Sequence, residues 1–151
     1  MTAQNSFRAV VRLERKGFRV NSRLTSDDAD CAAHSYGKVH QFFVVHPCTG
    51  LYRGLFEVRD KRGDVVLVAV AWVEMPDARS AADLKDLIDG YGSGNVTELS
   101  RERGRYRRVR FTGEFYASDR DGTVVVNAQA QPVVRGLAGV VLTTIATDAV
   151  R

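Results

Sequence analysis

Apolar and polar residues alternate at the start of the chain: Phe7, Ala9, Val11 and Leu13 fall on one side, Arg8, Arg12 and Glu14 on the other. A period of two predicts a half-buried strand over 7–14. A turn at Lys16-Gly17 then leads into a short returning strand over 18–24. The same stretch also suits a loose basic arm, because its apolar residues are small and termini are commonly mobile.

Thr25-Ser26-Asp27-Asp28 has the composition of a helix start, with oxygen acceptors for orphan N–H groups and acids at the positive end of the dipole. A helix from there runs through Cys31 and stumbles at Gly37. A second helical segment over 36–46 places Tyr36, Val39, Phe43 and His46 on one face, and Pro47 ends it. Residues 51–59 read as a strand with Tyr52, Phe56 and Val58 inward, and 59–63 as a hairpin loop. The run 65–73 is apolar on both faces and rich in β-branched residues, the pattern of a central covered strand.

A helix beginning near Ser80 carries the stripe Leu84, Leu87 and Ile88 and stops at Gly90. The glycines of 90–95 give a flexible linker; a phosphate cradle there lacks the following helix that such a loop requires. Residues 105–117 alternate again, with Val109, Phe111 and Phe115 on one face and Arg108, Arg110, Glu114 and Tyr116 on the other. A hairpin at 119–122 returns the chain into a strand over 123–130. The segment 133–149 suits a helix, with a strand over 140–147 as the alternative. Its nearly uncharged stretch, 136–147, fits either core or a subunit interface.

Hairpins in place of long crossovers give an α+β fold: a single antiparallel sheet of about four to six strands with two or three helices packed on it. Residues 1–25 form a basic N-terminal strand or arm, and 26–151 a single α+β domain. A chain of 151 residues can bury a core without staples. No apolar run approaches the length of a membrane span, and no apolar signal segment follows the basic start. Those features lead to the expectation of a cytoplasmic protein with free thiols.

Charge changes the picture locally. The net charge of +4 is modest, but Arg101, Arg103, Arg105, Arg107, Arg108 and Arg110 fall within ten residues. Arg108 and Arg110 share the predicted outward strand face with Tyr116, and Arg101, Arg103 and Arg105 lead into it, which gives a candidate surface for an anionic partner. An acidic protein surface or self-assembly is the preferred partner, and nucleic acid is the other. No P-loop, zinc-protease helix or Ser-His-Asp order is present, so no catalytic residue is assigned.

Chemistry is otherwise concentrated in 31–48, which holds both cysteines and all three histidines. Cys31, His34, His46 and Cys48 are the residue types that zinc prefers, but a straight intervening helix would hold the two pairs roughly 15 Å apart. Buried thiols with capping or surface histidines are the simpler reading. A thiol nucleophile with a histidine base, and a Cys31–Cys48 disulfide, complete the alternatives. The sequence therefore supports a non-catalytic binding or assembly module contacting an anionic partner. The rival is a zinc- or thiol-dependent protein or enzyme built on Cys31, His34, His46 and Cys48.

Overall fold

A computed structural model describes residues 2–133 and 139–151. Among them the chain runs α1 (Thr2–Arg15), β1 (Arg19–Asp28), α2 (Gly37–Val45), β2 (Gly50–Arg59), β3 (Val65–Glu74), α3 (Ala78–Ile88), the single turn α4 (Leu99–Glu102), β4 (Tyr116–Asp121), β5 (Val124–Pro132) and α5 (Gly139–Val150). A short 3-10 turn, Ala32–His34, precedes α2. The five strands form one antiparallel sheet in the order β1-β2-β3-β5-β4. The α+β class and the single antiparallel sheet are as expected, with more helices than the two or three anticipated.

Both hairpins follow from local chemistry. Gly63 (φ 85°) turns β2 into β3, and Gly122 (φ 61°) turns β4 into β5, each in the left-handed region that glycine enters without a Cβ clash. β3, in the middle, is buried on both faces, as its continuous apolar run requires.

The even-numbered positions of β2 and β3, Phe56, Val58, Val66, Val68, Val70 and Trp72, face a core closed by α1 and α5. The expected strand over 7–14 is instead part of α1. Ser6, Ala9 and Leu13 are its buried residues, a spacing of three and four that belongs to a helix, and Phe7 is 68% exposed. The alternation was real but did not decide the burial. Residues 2–28 are also no loose arm, since α1 packs on α5 and β1 is an edge strand of the sheet.

The helix expected to start at 25–28 is likewise absent, because β1 extends to Asp28. There the Asp28 carboxylate accepts from the amides of Ala29 (2.7 Å) and Asp30 (3.1 Å) and turns the chain. In the C-terminal segment, 140–147 is helical; Leu142, Ile145 and Ala146 are buried, so that part is core. The expected helix start at 133 leads into residues outside those described.

The opposite sheet face carries α2, α3 and the segment 95–111. Val39 and Phe43 of α2 and Ala81, Leu84 and Ile88 of α3 cover Leu51, Val73 and Val125. The cap of α3 is Asp77, whose Oδ1 accepts from Ser80 N at 2.7 Å, one turn earlier than a start at Ser80. The glycine loop 90–95 is no slack linker. Val39 N donates to Ser93 O and Tyr36 N to Asn95 O, so the loop satisfies amides at the start of α2. Gly94 (φ 90°) passes so close to Tyr36 O that an added Cβ would lie 2.1 Å from it.

Candidate functional site

The outer face of the sheet is polar where an apolar core would be expected. Arg53 and Glu57 project from β2, and Asn127 and Gln129 from β5, all nearly inaccessible to solvent. Cross-strand pairing puts Arg53 beside Ala71 and Ala71 beside Asn127, and Ala69 beside Gln129, so two alanines on β3 make room for three of these polar side chains, while Glu57 lies beside Leu67.

A buried charge survives only when paired and hydrogen-bonded. Arg53 is paired by a forked contact, Nη1 and Nη2 donating to the two oxygens of Glu102 at 2.9 Å each, while Nη1 also donates to Thr97 O at 2.9 Å. Glu57 accepts from Arg59 Nη2 at 3.0 Å and from the hydroxyl of Tyr106. Gln129 Nε2 donates to Glu98 Oε1 at 3.2 Å, and Asn95 Nδ2 to Asn127 Oδ1 at 3.2 Å. These contacts fasten the covering segment, Asn95 through Tyr106, onto the sheet. A cavity of about 10 Å³ between Arg53, Glu98, Asn127 and Gln129 is of the size of one water molecule.

His34 completes the network. Its Nδ1 lies 2.9 Å from Glu102 Oε2 and its Nε2 2.9 Å from Asp28 Oδ2, so the ring is held between two carboxylates. Asp28 is held below the usual carboxylate range by the Asp30 and Ala29 amides, with His34 adding to the effect. For Glu102 burial pulls upward, but Arg53 and His34 outweigh it and the net displacement is downward. Glu98 goes the other way, raised by burial.

A depressed folded-state value means stability that is fully present above the ordinary carboxylate range and is lost as pH falls through the folded values. Acidification is therefore expected to weaken the fold through Asp28 and Glu102, with Glu98 opposing in part. Urea unfolding of the wild type and of Glu102→Gln checks this, because their difference in stability should shrink from about pH 6 to about pH 3. A constant difference would take Glu102 out of the acid response.

The six candidate arginines do not lie on a strand. Residues 105–115 form a turn and loop, and only Tyr116 begins β4. Tyr106 is drawn down to Glu57, Val109 N closes a turn on Tyr106 O, and Gly104 (φ 94°) and Gly113 (φ 80°) sit in the left-handed region, so an extended course is not followed. Three arginines hold the loop. Arg101 pairs with Glu98 at 3.3 Å and lies over the Tyr36 ring, Arg103 donates to Thr25 O at 2.7 Å, and Arg107 to Glu102 O at 2.6 Å. Arg105 lies over the Tyr106 ring, 5.1 Å from its centroid, while Arg108 and Arg110 are exposed and make no hydrogen bond or ion pair among the described residues. Tyr116 is not with them; its hydroxyl donates to Asp89 Oδ1 at 2.9 Å, and burial together with Asp89 raises its pKa.

The four candidate zinc ligands are not a metal site. Cys31 and Cys48 form a disulfide, with Cα atoms 6.0 Å apart, so neither sulfur is a free thiolate for zinc or for nucleophilic attack. Their separation is not the helix-length distance anticipated, because the chain between them folds back through the 3-10 turn before α2. His34 is committed to two carboxylates, and His46, exposed, stacks on Phe42 with centroids 4.9 Å apart. His40 Nδ1 meets Ala32 O at 2.7 Å. No cluster of metal-ligating side chains occurs among the described residues.

The buried residues Arg53, Glu57, Asn127 and Gln129 were not foreseen, although a signal exists. Polar residues lie on one face of two otherwise apolar strands, four apart at Arg53 and Glu57 and two apart at Asn127 and Gln129, which a plain core would not contain. No family model, curated protein or solved structure matches the chain. No helix among the described residues is long and apolar enough to cross a membrane.

Proposed function

We propose that the protein is a non-catalytic binding module that contacts an anionic partner through the loop 101–110. One observation carries this reading: all six arginines are exposed, and while Arg101, Arg103 and Arg107 also fix the loop through an ion pair or hydrogen bonds, Arg108 and Arg110 make none among the described residues. A loop already ordered by buried contacts loses little conformational freedom on binding, which favours affinity at a given charge. The Cys31–Cys48 bridge supports residence in an oxidising compartment over the cytoplasmic expectation, and such a compartment favours an acidic protein surface over nucleic acid as the partner.

Replacing Arg105, Arg108 and Arg110 together by glutamate tests it. The variant should keep its fold, since these side chains are exposed, and should lose retention on a poly-glutamate column. Its binding should also depend less on salt, by about one released counterion per arginine removed. Retention equal to that of the wild type would remove the loop from the contact surface. Wild-type binding to single-stranded nucleic acid but not to poly-glutamate would overturn the choice of an acidic protein.

A further inference from the structure

A separate groove of about 350 Å³ opens beside the glycine loop, between α2, the end of α3 and residues 111–116. Its volume is at the small end of ligand sites, which span about 300–1,000 Å³. Aromatic rings stand along it: Tyr91, 92% exposed at the tip of the glycine loop, Tyr36 at the start of α2, and Phe111 and Tyr116 opposite. The floor carries the buried amide side chains Asn95 and Gln129. Gln129 uses its Nε2 on Glu98, its Oε1 makes no hydrogen bond among the described residues, and its side chain borders both the water-sized cavity and the groove.

The charge balance of the groove narrows the ligand. Asp89 is the ionisable carboxylate in the wall, and it is already bound by Lys85 Nζ (2.8 Å), Tyr116 Oη (2.9 Å) and Ser118 Oγ (2.5 Å). Its charge is neutralised by Lys85, so an ammonium ligand gains no free counter-ion there. No arginine or lysine lines the groove, so an anion gains none either. Aromatic faces with amide hydrogen-bonding groups and no net charge are suited to a neutral ring that has polarised C–H bonds on its faces and hydroxyls on its rim.

We infer that this groove binds a neutral saccharide of one or two rings, stacked on Tyr91 and Tyr36 with a hydroxyl donating to Gln129 Oε1. Arg105, Arg108 and Arg110 do not line the groove, and Arg101 touches it only through the Tyr36 ring, so saccharide binding can be tested apart from the anionic partner.

Titration of the intact protein with glucose, N-acetylglucosamine, maltose, cellobiose and chitobiose, followed by backbone amide shifts in NMR, tests the inference. At least one should shift amides of 36–37, 90–95 and 111–116 with millimolar affinity or better. Tyr91→Ala, which removes only an exposed ring, should weaken that affinity at least tenfold, and Arg108→Glu should leave it unchanged. No saturable shift at these residues with any of the five sugars would overturn the inference. An affinity unchanged in Tyr91→Ala would do the same.

Discussion

Arg53→Ala is expected to lower the unfolding free energy by about 2–4 kcal/mol, because the hydrogen bonds of a buried guanidinium are lost and its partners are left only partly satisfied. The Arg53 side chain is 3% exposed and Glu102 is 30% exposed, so the guanidinium is the fully desolvated partner and the carboxylate has some recourse to water. The variant leaves Glu102 with His34 alone and leaves the Thr97 carbonyl without its donor. For a chain of this length each kcal/mol corresponds to about 2–4 °C, so Tm should fall by roughly 4–16 °C. Arg53→Lys should recover only part of the loss, because a single ammonium cannot reproduce the fork. Urea unfolding measures it: the midpoint should drop while the slope holds, and a loss under about 1 kcal/mol would mean that the network is not what fixes the covering segment. A functional consequence comes with it. Amides of 99–108 should exchange faster in Arg53→Ala, and binding through the arginine loop should weaken although no exposed charge has changed.

Elements whose hydrophobic period agrees with their burial were legible in the sequence; those whose polar residues are buried were not. Val65 to Val73 is apolar on both faces, and it is the central strand. Pro47 follows the end of α2, as its missing N–H requires, and Gly90 follows the C-cap Asp89 of α3 where the stop was expected, though without entering the left-handed region. The segment 7–14 shows the limit of periodicity: Phe7, Ala9, Val11 and Leu13 alternate, yet Ala9 and Leu13 also lie four apart, and packing against α5 selects the helix. For 105–115 alternation failed for a different reason. Tyr106 has a buried carboxylate to reach on a strand some fifty residues earlier in the chain, and no local pattern encodes Glu57 as its partner. The arginines could be found as a cluster, but which of them are also held in place depends on the turn that folds Arg101 and Arg107 back on Glu98 and Glu102, and on Thr25, which only the fold brings near Arg103.

Replacing both Cys31 and Cys48 by serine is expected to cost about 3 kcal/mol, the chain-entropy value for a crosslink spanning 17 residues. The sheet and the α1–α5 core do not depend on the bridge, since the strands adjoining the 29–49 region are held by backbone ladders and their own side chains. The loss should therefore concentrate where the bridge ties the turn after β1 to the end of α2. That turn presents His34 to Asp28 and Glu102, so loosening it releases one of the two side chains that orient Glu102. Hydrogen exchange should quicken in α2 and in residues 30–36 and stay slow in β2 and β3. Tm should fall by roughly 6–12 °C. A reductant should bring the wild type down to the same value and leave the double variant where it is, which separates loss of the crosslink from any effect of the serines. Two thiols titrating in the unreduced native protein, or equal melting of variant and wild type, would show that the bridge does not operate. The oxidising setting proposed for the binding loop would then lose its support.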